Sequence, residues 1–267
     1  MSDIHHVDGP VDRIAYRRAG TGRPLVLLHP LALSGAVWGD FAERLAKDFD
    51  VIAPDARGHG DSGWDGRPFS VDDLAEDVAA LLDALDLHSA LVVGMSMGGS
   101  TAVTFAGRHP ARVDALVIAD ATAWYGAEAP KTWQARALDV LETPRQRLIP
   151  FQVERWFTER FRREHPDQVN RVVDVFLRTD SLAHAEACRA LGNMDSRPLL
   201  PEVQAPTLVV TGIEDYATPP EMGKVIADGV RHGEARTLDA LRHMSLVEAP
   251  DLASTVAGHL HAARATA

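Results

Sequence analysis

A serine flanked by glycines marks the segment of this sequence best suited to covalent chemistry. Residues 94–99 read GMSMGG and directly follow a short apolar run, 90–93. The pattern G-x-S-x-G between a predicted strand and a predicted helix is typical of a nucleophile on a sharp turn. Glycines on both sides remove the Cβ atoms that would collide across that turn. We therefore predict that Ser96 is a nucleophile at the end of a strand.

A serine hydroxyl reacts only when a base accepts its proton and a further group orients that base. Asp215 comes just after the apolar run 208–210, so its carboxylate would emerge at the same edge of a parallel sheet as Ser96. Glu214 and Asp120 are the alternatives, because the first adjoins Asp215 and the second follows another apolar run. We predict Asp215 as the orienting acid.

The base must be one of the histidines that follow Asp215. Four are available, at positions His232, His243, His259 and His261. His243 is the one that follows the exit of a predicted strand, 235–238, whereas His232 precedes that strand and the other two lie in a helical tail. The predicted set is therefore Ser96, Asp215 and His243.

A tetrahedral intermediate on a serine also needs two backbone N–H donors for its oxyanion. Met97, the residue after the nucleophile, is predicted to supply one of them. The second should come from the turn after the apolar run 25–28, where Pro30 has no N–H to give. Leu31 is therefore the first candidate, and we expect His29 to brace this turn.

Short apolar runs closed by turn residues predict the strands that position these groups. The runs span 25–28, 51–53, 90–93, 116–119 and 208–210. Between the second and third, residues 71–85 repeat apolar side chains every three or four positions after Ser70, which predicts a helix with a serine N-cap. This alternation predicts an α/β fold with a mostly parallel sheet and helices on both faces.

The alternation stops between residues 124 and 200, where no strand pattern is found. Helical patterns follow one another there, with Pro144, Pro150 and Pro166 as punctuation, over 132–142, 152–164, 168–177 and 182–191. We predict a helical cap, 124–200, inserted into a core formed by 1–123 and 201–267. Ligands of open α/β sheets bind outside the carboxyl ends of the strands, so the cap would act as a lid.

The charge balance limits the classes of partner. A net charge of −11 over 267 residues opposes binding to nucleic acid or to anionic lipid. Residues 131–163 are an exception, with eight basic and four acidic side chains. This local excess would suit an anionic ligand, and solvated helix faces explain it equally well.

The remaining composition points to an ordinary globular protein without a cofactor. Hydrophobic residues make up 46% of the chain, and the single cysteine, Cys188, allows no internal disulfide and fits a reducing compartment. Neither a membrane-spanning run nor a signal peptide is recognisable, so we expect a cytoplasmic location. We also expect no metal, because the histidines lack ligand spacing, and no phosphate or dinucleotide loop. The sequence does not indicate an oligomeric state.

Residues 55–62, DARGHGDS, resemble the D-x-R-G-H-G-x-S signature of the α/β-hydrolase-fold enzymes. Within that superfamily the chain is similar to the 3-oxoadipate enol-lactonases, in the segments RWFT (155–158), ATPP (217–220) and HMSLVE (243–248). The matching motifs extend from residue 25 to 249. The resemblance implies a cofactor-free serine hydrolase that opens a lactone through an acyl-enzyme, in the degradation of aromatic compounds.

The same resemblance implies a substrate pocket in the cap. Trp133 and Arg136 are similar to a lid pair of these lactonases, which implies that Arg136 clamps a substrate carboxylate, a task suited to a guanidinium fork. A solvated arginine on a lid helix is the alternative. Trp133 and Trp156 are expected to line the pocket or to form the core of the lid.

Two departures from the family pattern bear on the substrate. The family often has a small residue where this chain has Pro30, and it usually carries a Gly-Tyr pair near the position of Cys188, which 182–188 lacks. The two departures therefore leave room for a substrate that differs from the lactone of the family. A carboxylesterase or perhydrolase with a neutral apolar substrate is the second hydrolytic hypothesis, and a ligand-binding protein built on the same fold is a third.

Overall fold

The apolar runs form the centre of an eight-stranded sheet in a computed structural model that describes residues 3–263. The strands are β1 (Ile4–Asp8), β2 (Arg13–Ala19), β3 (Arg23–Leu28), β4 (Phe49–Pro54), β5 (Ala90–Met95), β6 (Val113–Ala119), β7 (Thr207–Gly212) and β8 (Gly233–Leu238). Their order across the sheet is β1-β2-β4-β3-β5-β6-β7-β8. Strands β3 to β8 pair in parallel, so the predicted α/β class with a mostly parallel sheet is confirmed.

The sequence pattern does not predict two strands at one edge of the sheet. Strands β1 and β2 pair antiparallel with each other, and β2 pairs antiparallel with β4. Every residue of β1 is exposed or half-buried, so it lacks the apolar run that marks a buried strand. In β2 the buried residues 14–17 include an arginine, Arg17, which is paired with Asp55.

Helices cover both faces of the sheet. They are α1 (Gly39–Leu45), α2 (Val71–Ala84), α3 (Met97–Arg108), α4 (Ala129–Glu142), α5 (Arg145–Trp156), α6 (Glu159–Glu164), α7 (Pro166–Arg178), α8 (Ser181–Asn193), α9 (Pro220–Gly229), α10 (Ser245–Glu248) and α11 (Ala253–Ala262). One of the two large apolar cores lies under α2, α3 and α9. The second large core lies under α1 and α11 and continues into α4 to α8. The sheet is therefore buried on both faces, as its near-continuous apolar strands require.

Helix α2 begins where the sequence predicts it. The side-chain oxygen of Ser70 accepts a hydrogen bond from Asp73 N at 3.1 Å, and the Asp73 carboxylate accepts one from Ser70 N at 2.8 Å. This reciprocal capping box satisfies two backbone donors at the helix start, an arrangement that contributes about 1 kcal/mol to helix stability.

The chain between β6 and β7 contains α4 to α8, in the region where we predict a helical cap. The single helix predicted over 152–164 is wrong, because α5 ends at Trp156 and α6 starts two residues after Phe157. Thr158 causes the break, since its hydroxyl accepts from Phe161 N at 3.2 Å and so caps a new helix. Pro150 lies inside α5 and does not end it.

The two ends of this helical region lie side by side. Trp124 and Asp195 form an isolated antiparallel bridge, and the Arg197 guanidinium stacks 3.6 Å from the centre of the Trp124 ring. The chain thus leaves and re-enters the sheet at one place. Within the described range, 3–263, every helix is too short or too polar to cross a membrane.

Candidate active site

Ser96 stands on a tight turn between β5 and α3. Its backbone has φ 56° and ψ −120°, and its N–H donates to Ala119 O at 2.9 Å. A Cβ atom on Gly94 would lie 2.2 Å from Gly98 O, and one on Gly98 would lie 2.0 Å from Leu28 O. Both contacts are too short for any side chain, so the two glycines of the motif are sterically required. The strained turn presents the serine hydroxyl at the carboxyl end of the sheet.

The structure brings Ser96, Asp215 and His243 into one hydrogen-bonded chain. Ser96 Oγ lies 2.8 Å from His243 Nε2, and His243 Nδ1 lies 2.8 Å from Asp215 Oδ2. All three side chains are buried. The carboxylate fixes the proton on Nδ1, so Nε2 is free to accept the serine proton. Neither Glu214 nor Asp120 contacts the imidazole in the described part of the chain.

The Asp215 carboxylate is held by its own loop. Oδ1 accepts from Ala217 N at 2.8 Å and from Thr218 N at 3.1 Å, and Oδ2 accepts from Thr218 Oγ1 at 2.8 Å. Burial raises the pKa of Asp215, but the charge and hydrogen bond of His243 and the bonds from Thr218 outweigh it, so the pKa lies below its ordinary value. Asp215 is therefore ionised when it orients the imidazole. Thr218 is absent from the predicted site, although a hydroxyl three residues after an aspartate is a usable signal.

Asp120, the alternative acid, has a different place in the structure. It follows β6 with φ 48°, and its two oxygens accept from Gly212 N at 3.0 Å and from Ser245 N at 2.9 Å. Burial and the negative charge of Asp215 raise its pKa well above the ordinary value. Asp120 thus links the start of the loop that contains Asp215 to the backbone of Ser245, two residues after His243.

The predicted oxyanion donors lie beside the nucleophile. Leu31 lines the same pocket as Ser96, and Met97 is the first residue of α3. Within residues 3–263, neither Leu31 N nor Met97 N has a hydrogen-bond partner. Buried N–H groups are seldom left unpaired, so two such donors beside a serine are available to a substrate oxygen.

The turn that carries Leu31 is held from two sides. His29 Nε2 accepts from Ala56 N at 2.9 Å, and His29 Nδ1 lies 2.8 Å from Pro30 O. From the helical region, Thr179 Oγ1 donates to Ala32 O at 2.8 Å, next to a backbone with φ 61°. His29 therefore contacts backbone groups of two loops and does not touch the serine.

A narrow pocket opens onto Ser96 and His243. The predicted residues Trp133, Arg136 and Trp156 all line it, and the Arg136 guanidinium lies 4.9 Å from the centre of the Trp133 ring. The other lining residues are Pro30, Leu31, Tyr125, Gln152 and Arg155. Helices α4 and α5 thus form the roof of the space in front of the serine.

Four lining residues are missing from the predicted site: Pro30, Tyr125, Gln152 and Arg155. Arg155 belongs to the RWFT segment that resembles the enol-lactonases, but no spacing rule assigns it to a pocket. Burial, together with the neighbouring positive charge of Arg136, lowers the pKa of Arg155 to about 10. Burial also raises the pKa of Tyr125 to about 12. The pocket therefore holds two cationic side chains and a neutral phenol.

The loop after His243 is fastened to the helical region. Met244 N donates to Trp156 O at 3.1 Å, and Thr158 donates to Glu248 through its N–H at 3.2 Å and through its hydroxyl. Burial raises the pKa of Glu248 in spite of these bonds. The pocket roof at Trp156 is therefore fixed relative to His243.

Two neighbouring histidines contact the backbone of the loop 55–62. The rings of His29 and His59 have centroids 5.5 Å apart, and both side chains are buried. Burial lowers the pKa of each from 6.5 to about 4. Unfolded histidines take up protons near pH 6.5, so the folded state loses stability as the pH falls from about 6.5 to about 4.

We expect His59→Gln to make this acid destabilisation shallower. Each buried histidine contributes up to about 1.4 kcal/mol per pH unit to the slope of the unfolding free energy. Glutamine removes one titrating group and keeps a donor for Arg57 O, which His59 Nδ1 contacts at 3.0 Å. Urea denaturation between pH 6.5 and pH 4.5 measures the slope, with the exposed His232→Gln as control. A slope equal to that of the wild type would contradict the buried, neutral state of His59.

Comparison with known proteins agrees with this geometry. Residues 23–250 match the family model described as alpha/beta hydrolase fold, and the chain belongs to that family. A curated relative, 3-oxoadipate enol-lactonase 2 of Acinetobacter baylyi, is 32% identical over 226 residues, which are 85% of this chain and 84% of the relative.

Solved structures give the same picture. The enol-lactonase from Burkholderia xenovorans LB400 superposes with a TM-score of 0.90 at 30% identity, over 96% of this chain and all of that one. A thermophilic esterase from Thermogutta terrifontis, solved with malate bound, has a TM-score of 0.90 at 25% identity, over 98% of this chain and 99% of that one. The resemblance to an α/β hydrolase of enol-lactonase type is therefore confirmed.

Proposed function

We propose that this protein hydrolyses a small, carboxylate-bearing lactone or ester through an acyl-enzyme on Ser96. One observation carries the proposal: the hydrogen-bonded chain from Asp215 through His243 to Ser96 opens into a pocket that also holds Arg136. The hydrogen bonds among these three residues activate the serine as a nucleophile, and the guanidinium group is suited to bind an anionic substrate.

In the first half of the reaction, Ser96 Oγ attacks the acyl carbon while His243 Nε2 takes its proton. Asp215 stabilises the imidazolium that forms, and the N–H groups of Leu31 and Met97 stabilise the oxyanion. His243 then gives the proton to the departing oxygen, and the acyl group stays on Ser96.

In the second half, water replaces the departed oxygen. His243 takes a proton from that water, the resulting hydroxide attacks the acyl carbon, and Ser96 leaves with the proton returned by His243. When the substrate is an enol-lactone, the departing enol becomes a ketone. That tautomerisation makes ring opening effectively irreversible.

The relatives support this choice of substrate class. Two of the similar proteins described above carry the name enol-lactonase. A substrate like 3-oxoadipate enol-lactone would put its ring carbonyl at Ser96 and its carboxylate at Arg136. We propose 124–200 as the cap that closes over such a substrate, on a core of 1–123 and 201–267.

Arg136→Ala tests the carboxylate clamp. We expect it to lower kcat/KM on 3-oxoadipate enol-lactone by about 10- to 100-fold, because a charge-assisted hydrogen bond is lost. Neutral p-nitrophenyl acetate should change by less than about threefold. Arg147→Ala, an exposed arginine on α5, is the control and should affect neither substrate.

An ester without a carboxylate is the second candidate, favoured by the similarity to the Thermogutta esterase. The neutral-ester hypothesis is favoured if Arg136→Ala changes kcat/KM equally on both substrates, or if the wild type has the higher kcat/KM on p-nitrophenyl acetate. The serine mechanism is common to both versions, so the choice concerns the pocket alone.

A further inference from the structure

Arg155 is a second, half-buried cation in the pocket, and the proposed hydrolysis of a monocarboxylate substrate gives it no role. It is the penultimate residue of α5, whereas Arg136 belongs to α4. Both side chains are half-buried and both line the space in front of Ser96. The pocket is therefore approached by guanidinium groups from two different helices.

Neither guanidinium is neutralised by the protein. Across residues 3–263, the structure contains no ion pair and no side-chain hydrogen bond for Arg136 or Arg155, and no carboxylate is among the residues that line the pocket. The other arginines of the helical region that lie against apolar rings differ, since Arg145 donates to Phe176 O and Arg197 pairs with Asp195. Partly buried charges without an anionic partner are costly, so two of them facing one cavity indicate a ligand with more than one anionic group.

The position of Arg155 is fixed relative to the reacting atoms. The next residue, Trp156, accepts a hydrogen bond from Met244 N, and Met244 follows His243 directly. The positive charges of Arg136 and Arg155 both oppose the rise in pKa of Tyr125 and Cys188, so the two guanidinium groups act on the same space. Arg155 differs from Arg136 in its helix, because the end of α5 is the part of the pocket roof that is tied to the loop of His243.

Hydrolysis supplies the missing second anion. Attack on a carboxylate-bearing ester breaks the bond between the acyl carbon and the departing oxygen and adds water across it. One proton goes to the departing oxygen, and the new carboxylic acid releases the other to solvent at neutral pH. When the substrate is a lactone, both anionic groups remain in one molecule, and the new carboxylate forms beside Ser96.

We propose that the pocket is a receptor for short dicarboxylates, with Arg136 on one carboxylate and Arg155 on the carboxylate that hydrolysis creates. This inference rests on the proposed function for the origin of the second carboxylate. Its consequence is that the dianionic product binds more tightly than its monoanionic counterpart and inhibits the enzyme.

Calorimetric titration of the intact protein tests this without turnover. The probes are succinate, glutarate and adipate, each compared with its own monomethyl ester in the Ser96→Ala protein, which cannot hydrolyse the ester. We expect at least one dicarboxylate to bind about tenfold or more tightly than its monoester, because one charge-assisted contact is added. Arg155→Met should abolish that ratio, and Arg147→Met on the same helix should keep it.

The outcomes separate this inference from the proposed function. The dicarboxylate receptor is overturned if diacid and monoester bind the Ser96→Ala protein with equal affinity. It is also overturned if the ratio of the two affinities survives Arg155→Met in a variant with unchanged thermal unfolding. Ser96-dependent hydrolysis of a lactone in the same preparation would leave the proposed function standing. Tight dicarboxylate binding without any hydrolysis would instead remove the proposed function and keep the receptor.

Discussion

Ser96→Ala is expected to lower kcat on any ester or lactone that the protein hydrolyses by about 10⁴-fold or more. The hydroxyl that lies 2.8 Å from His243 Nε2 is the only atom group removed, so the pocket and the oxyanion donors remain. Steady-state rates on p-nitrophenyl acetate, measured beside the wild type, give the ratio.

The loss must be chemical and not structural. Alanine at φ 56° is strained to about the same degree as serine, so we expect thermal unfolding within a few degrees of the wild type. Binding of a dicarboxylate to the variant gives an independent check that the pocket is intact. Retained hydrolysis in a folded Ser96→Ala protein would eliminate the acyl-enzyme route.

Asp215→Asn is expected to have the second-largest effect, a fall of about 10³- to 10⁴-fold in kcat with a much smaller change in KM. The amide cannot serve as the anionic acceptor for His243 Nδ1, which lies 2.8 Å from Asp215 Oδ2, and it favours the wrong imidazole tautomer. The imidazolium of the transition state also loses its counter-charge.

Asp120→Asn is the matched control for that variant. Both aspartates are buried and accept backbone N–H groups, but Asp120 contacts Gly212 N and Ser245 N and not the imidazole. We expect a loss of less than about tenfold in kcat, together with a destabilisation of about 1–3 kcal/mol from the N–H left without an acceptor. Urea denaturation and kcat on the same preparations separate the two effects. Equal losses of kcat in the two variants would refute the assignment of Asp215 as the orienting acid.

The reacting residues could be predicted because their positions follow from strand ends. Ser96 and Asp215 each come just after an apolar run, and His243 follows the exposed strand β8. Parallel strands deliver such residues to one edge of the sheet. Similar logic identifies Leu31 and Met97, since both adjoin the ends of strands. Because the strands are parallel, residues that follow different strands in the sequence come together at one edge of the sheet.

The pocket was harder to predict because it is built from helix faces. Arg155 and Gln152 lie on α5, and which face of that helix meets the serine depends on how it packs on the loop after His243. Amphipathic spacing alone does not distinguish an arginine in a pocket from one in solvent. The break at Thr158 was missed for a related reason, since its partner Glu248 lies 90 residues away.

The edge strands β1 and β2 could not be predicted from the sequence for a different reason. Strand β1 has no buried residue, and β2 is held to β4 partly through the ion pair of Arg17 with Asp55. Periodicity finds strands whose side chains are apolar, so an exposed edge pair gives no signal. These strands do not touch the pocket, and their omission does not alter the predicted site.

The most direct test of the proposed function is the rate of 3-oxoadipate enol-lactone hydrolysis by the purified protein, with Ser96→Ala as the blank. We expect kcat/KM of about 10⁴ M⁻¹s⁻¹ or more, within the usual range of enzymes, and no turnover above background in the blank. A lactone rate no higher than that of the blank, beside Ser96-dependent cleavage of p-nitrophenyl acetate, would contradict the carboxylate-bearing substrate and leave a hydrolase of neutral esters.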